Sequence, residues 1–91
     1  MKHFWKSSMR YKTRLTPGCL SGEHFCKLIS VSTIHSDKVI MALEDFCVYG
    51  HDRKSVCARH NVSQGYFSIS LRKLQKLNQA VADMLPFYIK G

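Results

Sequence analysis

The sequence predicts an all-α protein: a small helical domain containing a helix-turn-helix, with a long C-terminal helix and a flexible basic N-terminal arm. Apolar residues recur at helical spacing along most of residues 20–85, nothing alternates long enough to form a strand, and Asn61 falls as a breaker between two helical segments. At 91 residues the chain has room for one modest core.

Residues 1–18 form the arm. The stretch MKHFWKSSMRYKTRLT mixes basic and aromatic residues without periodicity and ends at the turn pair Pro17-Gly18. Two readings stand: a disordered end, or an arm that reaches phosphates, with Phe4, Trp5 and Tyr11 supplying stacking surface. The body runs from 19 to 91. Leu20, Phe25, Leu28 and Ile29 predict a first helix from about Ser21 to Ile29, which Ser32, Thr33 and Ser36 interrupt. A second helix follows in SDKVIMALEDFCVYG, with Ser36 as N-cap, Asp37 at the positive helix start and Gly50 past the end. Its buried stripe is Val39, Ile40, Leu43, Phe46 and Cys47.

Asp52 then caps a short helix, RKSVCARH, with Val56 and Cys57 inward. Asn61 accepts left-handed backbone angles at low cost and ends it. Val62 plugs the corner and Ser63 caps a last helix, whose seam is Phe67, Leu71, Leu74, Leu77 or Asn78, Val81 and Leu85, until Pro86 stops it.

The formal net charge of +8 and pI near 9.6 call for a polyanionic partner. Residues 1–20 carry Lys2, Lys6, Arg10, Lys12 and Arg14 without an acid, and from residue 53 onward Asp83 is the sole acid. Between them, Lys27 and Lys38 are outnumbered by Glu23, Asp37, Glu44, Asp45 and Asp52. Basic ends around an acidic middle predict two surfaces, a cationic nucleic-acid face and an acidic body available for self-association. Cys19, Cys26, Cys47 and Cys57 contain no C-x-x-C pair, and the first twenty residues lack the apolar stretch of a secretory signal. Free thiols in the cytoplasm are expected. No apolar run approaches the roughly 18 residues of a membrane span.

Residues 52–77 carry the chemistry. Two helices joined by a three-residue turn can present the second, the recognition helix, to a DNA groove. That geometry asks for a small residue where the helices cross (Cys57), a turn residue tolerant of unusual angles (Asn61), an apolar corner (Val62) and an apolar lock (Phe67). With these inward, Arg53, Lys54, Arg59, Arg72, Lys73 and Lys76 are expected to face out and neutralise phosphates. The base-reading candidates are Ser63, Gln64, Gly65, Tyr66, Ser68 and Ile69, a set poor in strong donors. Reading of DNA shape in A/T-rich tracts competes with edge-by-edge recognition.

LTPG at 15–18, HFCKLISVSTIHSDKVIMALEDF at 24–46, GHDRKSVCARHNVSQGYFS at 50–68 and LPFY at 85–88 resemble the PapB family of adhesin (fimbrial) biosynthesis transcription regulators. The resemblance covers residues 15–88 and rests most on IHSDKVI, RKSVC and GYFS. It implies a bacterial regulator of fimbrial operons that binds A/T-rich double-stranded DNA near promoters as a dimer or higher oligomer. It also ties Arg53, Lys54 and Cys57 to DNA binding, and Phe25, Leu28 and Ile29 to self-association.

Cys47, His51, Cys57 and His60 form a zinc-like string, but Cys47 and Cys57 fall on inward faces and read better as small buried hydrophobes. Cys57 with His60 lacks the orienting group and pocket of a nucleophile. No catalytic residue, metal, cofactor or small-molecule substrate is expected. The alternative function is a small basic interaction protein that binds an acidic protein or nucleic acid non-specifically.

Overall fold

A computed structural model describes residues 14–89, and among them lie four helices and no strand. Helix α1 is Gly22–Ser30, α2 Asp37–Cys47, α3 Arg53–His60 and α4 Gln64–Ile89. The expected arm, with Phe4, Trp5 and Tyr11, falls mostly outside the described residues.

Local chemistry sets the helix starts. The hydroxyl oxygens of Ser21, Ser36 and Ser63 accept from the backbone N–H groups of His24, Val39 and Tyr66, each satisfying a donor that the first turn leaves without a partner. Asp52 occupies the N-cap of α3 but makes no such side-chain bond.

Helix α2 is the hub: it packs against α1, α3 and α4 and buries Val39, Ala42, Leu43, Phe46 and Cys47. Helix α4 meets it through Phe67, whose ring stands edge-on to Phe46 with centroids 5.5 Å apart. The α4 seam runs through Phe67, Ser70, Leu71, Leu74, Asn78 and Ala82. Val81, expected in that seam, is exposed. At 100° per residue, Asn78 stays on the line of Phe67, Leu71 and Leu74, while Val81 and Ala82 flank it on opposite sides, and only the Ala82 flank is covered.

Two expectations need correction, at the arm and at Pro86. The arm does not extend to residue 18: Leu15 is buried, its N–H donates to Gln75 Oε1 at 2.9 Å, and Gly18 and Leu20 donate to the carbonyls of Phe46 and Cys47. Gly18 passes beside Gly50, whose Cα lies 3.6 Å from where a Cβ on Gly18 would sit, and both hold the left-handed backbone that glycine adopts without steric cost. Pro86 does not stop α4, which continues to Ile89. It stands one turn from the end, so its missing N–H costs a bond near a terminus and not in a packed interior. Phe25 and Leu28, which the resemblance assigns to self-association, face the protomer's own core; Ile29 packs half-buried beside them.

Candidate nucleic-acid interface

The corner between α3 and α4 forms as its residues dictate. Asn61 adopts φ 56° and ψ 49°, the left-handed conformation that ends a helix sharply. Its neighbour Val62 turns inward, and the Val62 N–H donates to the Cys57 carbonyl at 2.9 Å, closing the corner over α3. Val56, Cys57 and Phe67 fill the crossing beneath it. Cys57 is only 5% exposed. It therefore lies within the crossing of the two helices and not on their outer face.

The six cations expected to face out separate into three groups. Arg53, in the first turn of α3, reaches across the crossing: its Nη1 donates to Ser68 Oγ at 2.9 Å and its guanidinium carbon lies 5.7 Å from the Phe67 ring centroid. Arg53 and Arg72 line a groove of about 390 Å³ together with Arg14, Ser68 and Gln75, and Lys76 lines the adjoining hollow. Lys54 is exposed beside Arg53, and Lys73 lies about 100° round α4 from Arg72, on the flank that carries exposed Tyr66 and Ile69. Arg59 departs from expectation. Its guanidinium stands 3.1 Å from Asp45 Oδ2 on α2, so its charge is compensated within the fold.

Asp45 also receives His60 Nε2, so one carboxylate holds both of the last two residues of α3. The His60 hydrogen bond, followed by Arg59, holds the Asp45 carboxyl below its ordinary value against the opposing effect of burial. Burial pushes the Cys47 thiol up to about 12, with Cys19 adding to the shift, and raises Cys57 too, where Arg53 pulls the other way. Both thiols are buried, and among the described residues no three His, Cys, Asp or Glu side chains cluster to hold a metal ion.

The chain is similar to solved and curated proteins along most of its length. The adhesin biosynthesis transcription regulatory protein family, PapB, matches residues 1–88. This protein belongs to that family. The match begins at residue 1 and so includes the leading segment, which the resemblance read from residues 15–88 left out. The chain is 47% identical over 74 residues to the Escherichia coli major pilu subunit operon regulatory protein PapB, covering 81% of this chain and 71% of that protein. It is 43% identical over 74 residues to the Escherichia coli AFA-III adhesin operon regulatory protein, covering 81% and 73%. A crystal structure of Escherichia coli FocB superposes with a TM-score of 0.80 at 41% identity, covering 97% of this chain and 99% of that one.

Within this PapB-family chain, the base-reading candidates divide by availability. Ser63 Oγ is engaged in capping and Ser68 Oγ accepts from Arg53, so both are held by the protein itself. Gln64, Gly65, Tyr66 and Ile69 remain exposed on the first turns of α4. A Cβ on Gly65 would meet nothing within 4 Å, so the fold does not require glycine there. Sequence reasoning missed Asp45 as the partner of α3, and missed Gln75 as the residue that fixes Leu15. These partners lie 14, 15 and 60 residues apart, beyond any local pattern.

Proposed function

We propose that this member of the PapB family regulates transcription of a fimbrial or adhesin operon by binding A/T-rich promoter DNA as an oligomer, acting in the cytoplasm. The observation that carries the reading is that from residue 53 to residue 76 the outer side carries no acid, and Arg53, Lys54, Arg72, Lys73 and Lys76 are all exposed. Such a side supplies phosphate contacts that fix register and make binding salt-dependent. Gln64 offers a bidentate pair to adenine, and Gly65 lets backbone approach closely. Tyr66 and Ile69, each 52% exposed, offer flat and apolar surface to thymine methyl groups or to a narrow groove. Few strong donors and two apolar contacts favour recognition of A/T-rich shape over a base-by-base code.

Self-association would use a surface other than Phe25 and Leu28. Between Leu77 and Ile89 the one charged residue is Asp83, and Val81, Met84, Phe87, Tyr88 and Ile89 are exposed. Two strongly cationic copies can approach along this part of α4 without bringing their arginines and lysines together.

Binding to an A/T-rich duplex, a scrambled G/C-rich duplex and single-stranded RNA, each at two salt concentrations, tests the reading. A/T-rich duplex should bind tightest, and Arg53→Ala should weaken it and flatten its salt slope while the thermal melt stays within about 1 kcal/mol. Equal weak binding to all three would leave a non-specific basic protein instead.

A further inference from the structure

Three arginines from distant parts of the chain meet in one groove: Arg14 from the segment before α1, Arg53 from the start of α3 and Arg72 from the middle of α4. Among the described residues no carboxylate lines that groove. The contrast with Arg59 is direct, since among the described residues its pair with Asp45 is the one contact between an arginine and a carboxylate. Bringing like charges together without a counter-charge is unfavourable unless an anion is supplied from outside.

The other polar groups point to the same ligand. Gln75 uses its amide oxygen on the Leu15 N–H, which leaves its NH₂ to offer the groove. Ser68 uses its oxygen on Arg53, which leaves its O–H. With three guanidinium groups beside them, the lining is rich in donors and suits a ligand that only accepts hydrogen bonds, as the oxygens of a phosphodiester do. Arg14 and Gln75 also line a second hollow of about 280 Å³ with Lys76 and Gln79, so the positive track continues along α4 beyond the span of a single anion.

We propose that this groove holds the sugar-phosphate backbone of one DNA strand, and that the segment around Leu15, fixed by Gln75, is built to deliver Arg14 as its third wall. The proposal rests on the DNA-binding reading and extends it to the leading segment. In it Gln75 is a positioning residue: it carries no charge, yet it decides where Arg14 stands.

The test is the salt dependence of duplex binding by the full chain. Arg14→Ala should lower the log–log salt slope by about 1, equally on A/T-rich and G/C-rich duplexes, as a lost phosphate contact does. Arg14→Lys should restore most of the slope, and the melting temperature should hold in both. Gln75→Leu should lower the slope as well without removing a charge, and adding it to Arg14→Ala should lower it no further. If Arg14→Ala leaves the slope unchanged while Arg53→Ala reduces it, the groove is not a backbone site, although the DNA-binding reading survives. If inorganic phosphate raises the melting temperature of the wild type but not of Arg14→Ala, and duplex slopes are equal in both, the site takes a free anion and the backbone assignment falls. No duplex binding by the wild type would overturn both readings.

Discussion

Helices α2 and α3 pack on each other yet are built on opposite plans. Helix α2 turns five of its eleven residues into the core and meets each of the other three described helices. Helix α3 buries only Val56 and Cys57, is basic at both ends, and carries no acid in its first turn, where the helix dipole would favour one. The first helix holds the molecule together and the second is held by it. On the proposed DNA-binding reading, stability and recognition are separated onto neighbours, and substitutions should expose the division.

The largest effect is expected in α2. Leu43 is completely buried, so Leu43→Ala should cost about 2–5 kcal/mol by denaturant unfolding, and DNA binding should fall only in step with the folded fraction. Binding lost while the fold persists would mean that α2 takes part in recognition. At the crossing, Cys57→Leu should overpack the contact and cost about 1–3 kcal/mol, but abolish DNA binding even at temperatures where the variant is fully folded. Normal affinity in that variant would show that the helices do not depend on a small residue there.

The link between the two helices should be legible in acid. Because the folded state lowers the Asp45 carboxyl, its contribution is fully present above the ordinary value of 3.8 and is lost as pH falls through the lower folded value. Asp45→Asn should therefore cost about 1 kcal/mol at neutral pH and flatten the decline of stability below pH 3.8. An unchanged acid profile would assign that decline to other carboxylates. The smallest effect is at Gly65. Gly65→Ala should raise stability by about 0.5–1 kcal/mol, since a methyl there meets nothing, while weakening duplex binding through loss of close backbone approach. Unaltered binding would mean that the first turn of α4 keeps its backbone away from DNA.

What the sequence made legible was what a few neighbouring residues decide. Ser21, Ser36 and Ser63 cap helices because a hydroxyl reaches an N–H three residues on, and Asn61 turns the chain because its own backbone tolerates that conformation. The corner of the helix-turn-helix was readable for the same reason. Periodicity also found the α2 stripe, missing only Ala42, whose small side chain gives a weak signal. Contacts made across the fold were not readable. Arg59 looked like any other outward cation until Asp45 came within 3.1 Å, and nothing near Leu15 announces that Gln75 will hold it. Phe25 and Leu28 were legible from their spacing as the inward face of α1, because that face is covered by the same chain.

The back-to-back glycines set the loop before α1 against the loop before α3, while Gly18 and Leu20 hydrogen-bond to the last turn of α2. A side chain at Gly18 or Gly50 would strain a backbone whose positive φ suits glycine, close in sequence to Arg14 in the one case and to Arg53 in the other. On the proposed DNA-binding reading, a joint that bears no charge of its own lies beside both walls of the polyanion groove.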